Sequence, residues 1–385
     1  MIAEVRPARS APSGAIDLGE ATIAPGFVDA HVHLLFDYQA DHEVTRAAVV
    51  GSSRDRLIAT AIRHGLECLR AGVTTVRDLG DRDRIVGSVR DLINEGVVPG
   101  PRIHTAGTPV TITAGHLGWL GGLADSRDEL VRLTRTLVGE GSDVIKVMAS
   151  GGNMTRESNK RLPQYTVDEL KLVVFEAHRG GKPVAAHALN SEAVRRSIAA
   201  GIDTIEHCGW VNEQGEPDLT EEDLVAMRAA GSVATLTMAG IARQLLPDPD
   251  DADQVARQVA LSTSRSGGDL YADHQWARRL IEAGIGVVIA SDAGVRFTPF
   301  SGFRDTVRCG MVALGTDAAG AISLATLAGA RALREDHRLG SVEAGKLADL
   351  IVLEGVITEG SRTIGAIREV RKEGRVVARA GVTAW

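Results

Sequence analysis

Short β-branched apolar runs alternate along the chain with longer amphipathic stretches. The short runs cover 22–29, 74–77, 102–106, 144–148, 184–187, 204–206, 233–237 and 287–290. Several are apolar throughout rather than alternating, as strands of a parallel sheet covered on both faces must be. Between them, apolar positions recur with helical spacing over 54–70, 85–95, 128–138, 167–179, 191–200, 221–230 and 271–283, and a last helical region covers 303–333. Gly72, Gly96, Gly180, Gly201, Gly231 and Gly284 close these stretches, at the position after a helix that glycine favours.

Eight β-then-α units in this order predict an α/β fold of the (β/α)8 TIM-barrel type over residues 23–339. The segments 1–22 and 340–385 are β-like and are expected to pair into a small composite β domain, a β-sandwich made from both chain ends. Residues 238–269 fit no unit: they are Pro/Asp-rich, then Gln/Arg/Ser-rich, and read as an insertion after the seventh run, a candidate lid.

Composition narrows the classes. The 385 residues are 44% hydrophobic and 24% charged, which excludes wholesale disorder. A net charge of −7 leaves no domain-wide basic surface for a nucleic-acid backbone. Three cysteines, Cys68, Cys208 and Cys309, are too few and too scattered for a disulfide framework or a cysteine zinc site. No apolar run approaches the ~18 residues of a membrane span, and residues 1–20 carry no hydrophobic leader core. The expectation is a cytoplasmic protein with neither nucleic acid nor membrane as partner.

Candidate chemistry begins at Pro25-Gly26-Phe27-Val28-Asp29-Ala30-His31-Val32-His33. Residues i and i+2 of a strand face the same side, so His31 and His33 can grip one divalent metal. His187, His207 and Asp292 end or follow the fifth, sixth and eighth runs. In a barrel those ends converge on one face. His42, His64, His104, His178, His274 and His337 fall mostly on helices or loops and read as ordinary. Lys146 lies within the apolar fourth run. A buried lysine is costly unless it is paired or neutral. Either an acid partners it, or a depressed pKa lets it react with CO2 to give a carbamate able to bridge two metals.

The set His31, His33, Lys146, His187, His207 and Asp292 resembles that of the metal-dependent amidohydrolase superfamily, in particular its imidazolonepropionase-like and prolidase-like (Xaa-Pro dipeptidase-type) members. The supporting phrases are the stretch 25–33, Val147-Met148-Ala149-Ser150-Gly151-Gly152, Ile205-Glu206-His207-Cys208 and the stretch 339–350. The resemblance implies two divalent metal ions, zinc first, as cofactors. His31, His33 and Asp292 would bind the more buried ion and His187 and His207 the more exposed one. Carbamylated Lys146 and a hydroxide would bridge them, and Asp292 would carry the proton to the leaving nitrogen. His116 stands in Thr113-Ala114-Gly115-His116, where relatives carry Thr-Gly-Gly-His against the substrate. Arg296 either holds a substrate carboxylate bidentately or is a solvated loop arginine.

The implied activity is hydrolysis of C–N bonds in amide or peptide-like small molecules, in a homo-oligomer. A cyclic-amide hydrolase or deaminase of the imidazolonepropionase type is the alternative, although a mononuclear deaminase has no need of Lys146. A non-catalytic barrel scaffold would have lost ligands, and here none is missing. Relatives usually have a longer β segment before the Pro-Gly-Phe-Val-Asp stretch, so the small β domain is expected to be incomplete, with 2–5 as the tail of a strand. A chain extended upstream in frame is then expected to melt at a higher temperature; equal melting temperatures would contradict this.

Overall fold

In the computed structural model, which describes residues 1–7, 13–238 and 274–384, the apolar run 22–29 divides at Gly26 into strands of two different sheets. This corrects the expectation of one strand. β1 (Ala21–Pro25) pairs antiparallel with a C-terminal strand, whereas β2 (Phe27–Val32) opens a parallel sheet. Gly26 N donates to Asp349 O at 2.8 Å and Phe27 N to Gly72 O at 2.9 Å, so consecutive amides serve the two sheets. A Cβ on Gly26 would lie 2.2 Å from Thr74 Oγ1, so only glycine fits the crossing.

β2, β3 (Val73–Asp78) and β4 (Arg102–Thr105) form a three-stranded parallel sheet. β5 (Ile145–Met148), β6 (Val184–His187), β7 (Thr204–Glu206), β8 (Val233–Thr237) and β9 (Val287–Ala290) form a five-stranded one, also parallel. Two parallel bridges, Val110 to Val147 and Val32 to Ala293, link the sheets along both margins. Each is bonded on both sides: Val110 N to Lys146 O at 2.8 Å, Met148 N to Val110 O at 2.9 Å, His33 N to Ala293 O at 2.8 Å and Asp292 N to His31 O at 2.9 Å. β5, β6 and β9 are buried along their full length, which is why their sequences are nearly unbroken apolar runs.

The helices among the described residues are α1 (His42–Gly51), α2 (Arg54–Arg70), α3 (Ile85–Asn94), α4 (Arg127–Gly139), α5 (Val167–Arg179), α6 (Ser191–Ala200), α7 (Glu221–Ala230), α8 (His274–Glu282), α9 (Phe303–Leu314), α10 (Ala318–Leu324) and α11 (Leu327–Ala332). Reciprocal capping boxes start α4, α5 and α7, from Ser126, Thr166 and Thr220. The single helical region expected over 303–333 is three helices, broken first at Gly315 (φ 68°). After α5 the left-handed residue is Gly181 (φ 71°), not Gly180. No single helix among the described residues is long and apolar enough to cross a membrane.

The chain ends do meet. β1 joins β10 (Leu350–Glu354), β11 (Ile367–Lys372), β12 (Arg375–Arg379) and β13 (Val382–Thr383) in one antiparallel sheet. The second layer that a sandwich requires is not found among the described residues, and the boundary expected at 22 falls inside β1. Residues 2–5 form no strand; Ile2 exchanges hydrogen bonds only with the turn at Gly345 and Lys346. Beyond Met238, the insertion expected over 238–269 lies outside the described residues.

Gly26→Ala should drive a methyl into Thr74 and destabilise the protein by about 1–3 kcal/mol, the usual range for overpacking. The midpoint of urea unfolding measures this; an unshifted midpoint would contradict the crossing described.

Candidate metal centre

His31 lies in β2 and His33 just beyond its end, so both project from the same strand end. Their Nε2 atoms each lie 3.4 Å from Asp292 Oδ1, which enters from the turn after β9. One potential ligand atom from each of His31, His33 and Asp292 lies within 4.8 Å of the others. The His207 ring is 5.0 Å from that of His31, His187 is 4.7 Å from His207, and His116 is 4.4 Å from His187. The five histidines singled out in the sequence thus form one continuous cluster with Asp292.

His207 and Asp292 reach it through left-handed backbone, φ 64° and 59°. Such conformations are strained for residues other than glycine and collect at functional sites. Hydrogen bonds from neighbouring strands hold both: His207 N to Thr235 O at 2.8 Å, and Asp292 N to His31 O at 2.9 Å.

The donor set fits divalent ions. His31 Nδ1 lies 2.8 Å from Glu206 Oε2, His187 Nε2 3.1 Å from Gly151 O and His207 Nδ1 2.8 Å from Thr237 Oγ1. Each ring has one nitrogen engaged and the other left for a metal, the arrangement that fixes tautomer and orientation in metal sites. Asp292 Oδ1 and Lys146 Nζ are buried with no hydrogen-bond partner among the described residues. Orphaned buried polar atoms of this kind are expensive.

The electrostatics agree. Burial, reinforced by the charge of Lys146, pushes His31 down to about 4. Burial takes His207 to about 3, and His116 and His187 well below the ordinary histidine range. Imidazoles with such pKa values are neutral at pH 7, the form that ligates metal. Burial alone would raise Asp292, but His31, His33 and His207 outweigh it and hold the carboxyl far below its ordinary range. Lys146 is pushed down to about 8 by burial, against the pull of Glu206.

Two residues of the centre were not singled out in the sequence. Glu206 grips His31, and Arg77 Nη2 donates to Glu206 Oε1 at 2.8 Å. The available signals were an arginine ending the β-branched run 74–77 and an acid directly before His207. Gly152, which the sequence did single out, lies against the cluster: a Cβ on it would lie 2.5 Å from His116 Cε1, so the glycine makes room for that ring. Gln164 fixes the same loop by accepting from His116 N at 2.8 Å. Arg296 is not brought into the cluster. It is exposed, with Cζ 5.5 Å from the Phe297 ring centre. Its charge does reach His42, whose pKa is lowered by burial first and by Arg296 next.

The sequence profile of the Amidohydrolase family matches residues 22–378. The chain belongs to the amidohydrolase family. This amidohydrolase is similar to ochratoxinase of Aspergillus niger, at 32% identity over 219 residues, 50% of this chain and 44% of that one. The chain therefore aligns with less than half the length of that relative. It is 27% identical to imidazolonepropionase of Micrococcus luteus, over 92% of this chain and 85% of the other. Among solved structures it resembles a Xaa-Pro dipeptidase with bound methionine in the active site, with a TM-score of 0.79 and 27% identity over 97% of this amidohydrolase and 92% of that chain.

The lowered pKa of Lys146 sets a pH dependence. Between about 8 and 10.5 the unfolded chain holds a proton at this lysine that the folded chain has lost, so stability rises with pH across that window. Below it, the buried ammonium costs about 3 kcal/mol, taking 1.4 kcal/mol per unit. Urea unfolding of metal-free protein should show this rise, and Lys146→Met should lack it. Parallel pH profiles for the two proteins would contradict the burial of a chargeable amine.

Proposed function

We propose that this amidohydrolase is a binuclear metal-dependent hydrolase of C–N bonds in small amide or peptide-like molecules. Its frame would be a closed (β/α)8 barrel over 23–339, with the small composite β domain formed by 1–22 and 340–385. The bridges between the two parallel sheets along both margins support closure. The placement of the site residues at the C-terminal strand ends, where barrel active sites lie, supports the same frame.

The observation that carries the function is the orphaned Nζ of Lys146, 1% exposed, whose charge is felt by His31, His116, His187 and His207. As a carbamate it would offer two oxygens where an ammonium has no partner. His31, His33 and Asp292 would then hold one ion, His187 and His207 the other, and Lys146 would join them. Nitrogen-rich sites with carboxylate oxygens suit zinc. Two such ions would supply hydroxide at neutral pH and polarise the scissile carbonyl.

The protein's own groups do the rest. Asp292 is ionised and buried at Oδ1, so it can take the proton of the attacking water and hand it to the leaving nitrogen. His116, neutral and with its ring 4.4 Å from that of His187, would donate to or orient the substrate carbonyl. A single-metal site of the imidazolonepropionase type would leave Lys146 unexplained. The likeness to a Xaa-Pro dipeptidase puts Xaa-Pro dipeptides first among the substrates to try.

Zinc-loaded protein screened against Xaa-Pro dipeptides, N-acyl amino acids and cyclic amides should hydrolyse at least one acyclic class, and Lys146→Ala should lose nearly all of it. Turnover confined to cyclic amides, with one metal per chain, would contradict the proposal. Asp292→Asn keeps one ligating oxygen but carries no proton. At matched metal content it should lose about 10²-fold or more in kcat, the contribution usual for general acid–base catalysis. A variant keeping more than about a tenth of the rate would remove Asp292 as the proton carrier.

A further inference from the structure

The three ring nitrogens engaged by protein oxygens do not have equivalent partners. His187 meets the carbonyl of Gly151 and His207 the hydroxyl of Thr237, both neutral oxygens. His31 meets a carboxylate, Glu206, which is fully buried. The other oxygen of that carboxylate, Oε1, accepts from Arg77 Nη2 at 2.8 Å, Thr204 Oγ1 at 2.7 Å and Thr235 Oγ1 at 3.4 Å. Arg77 is itself tied to Ala30 O at 2.8 Å and Thr204 Oγ1 at 3.1 Å.

Side chains or backbone from β2, β3, β7 and β8 thus lock Glu206 in one pose. An ionised carboxylate can only accept, so His31 must carry its proton on Nδ1 and turn the Nε2 lone pair toward Asp292. A charged acceptor also makes the ring a stronger metal ligand than a neutral oxygen does.

We propose that Glu206, clamped by Arg77, is a positioning residue that makes the His31–His33–Asp292 pocket the tighter of two metal sites, so that this pocket fills first. The inference rests on the binuclear reading above. The contrasting role is a buried ion pair that only neutralises Arg77 and leaves metal affinity alone.

Cobalt titration of metal-free protein, read by visible absorption and by competition with a chelator, separates the two. Wild type should bind two equivalents, one tightly and one less so. Glu206→Gln should weaken the first equivalent about 10- to 100-fold, the usual effect of removing such an outer partner, and leave the second within about threefold. Thr237→Val should do the reverse. Because Glu206→Gln leaves Arg77 buried and unpaired, the neutral pair R77M/E206Q is measured beside it and should show the same loss in the first equivalent.

A folded single or double variant that binds the first cobalt like wild type, with an unchanged spectrum, overturns the proposal; equal weakening of both equivalents does so too. Wild type that binds no cobalt overturns this proposal and the binuclear reading together. If neither variant folds, the 15N spectrum of histidine-labelled, zinc-loaded wild type decides. A proton on His31 Nδ1 supports the proposal and a proton on Nε2 overturns it.

Discussion

A chargeable amine with no hydrogen-bond partner among the described residues is buried among histidines at Lys146, and the rest of the centre is organised around that fact. An ammonium there is costly, and its pKa falls accordingly. The same burial keeps the neighbouring imidazoles neutral, so their lone pairs stay unprotonated beside the lysine. Among the described residues, the anions that act on it are Glu206 and Asp292. Glu206 is already committed to Arg77 and His31, and Asp292 faces His31 and His33. A cluster so rich in lone pairs and so short of protons is one that divalent cations complete.

Backbone geometry makes that crowding attainable. Parallel strands deliver their C-terminal ends to one face, and the left-handed turns at His207 and Asp292 swing two side chains back over it. Those turns persist because adjacent strands hold the amides concerned. Gly26 plays a comparable part lower down, where the chain passes between sheets through a gap that closes on any side chain. The backbone bonds His33 N to Ala293 O and Asp292 N to His31 O join the ends of the first and last parallel strands and fix three site residues, His31, His33 and Asp292, at once. Strand register and site geometry are therefore one property here.

Much of the centre was legible because its chemistry is unusual for the positions it occupies. His31 and His33 share a face by strand periodicity alone, and His187 ends a strand whose limits match the apolar run. Lys146 is conspicuous as the one charge in its run. What escaped was set by contacts distant in sequence. Glu206 and His31 are 175 positions apart, and nothing local says which histidine the acid will meet. The break at Gly26 depends on Thr74, and α1 depends on a cap at Asp41 within a stretch lacking a clear apolar stripe. Arg296 had the right spacing from Asp292 for a substrate contact, but the loop turns it toward Phe297 and the surface. Conversely, His42 read as ordinary although it lies close enough to feel both Arg296 and Asp292.

If Lys146 joins two metal ions through a carbamate, zinc binds in pairs about this side chain. Crystals grown with zinc and bicarbonate, measured on both sides of the zinc absorption edge, test it most directly. Two anomalous peaks about 3.5–4 Å apart are expected, one beside His31, His33 and Asp292 and one beside His187 and His207. Density for a carboxyl group should extend from Nζ of Lys146 to both. A single peak beside an unmodified lysine would contradict it.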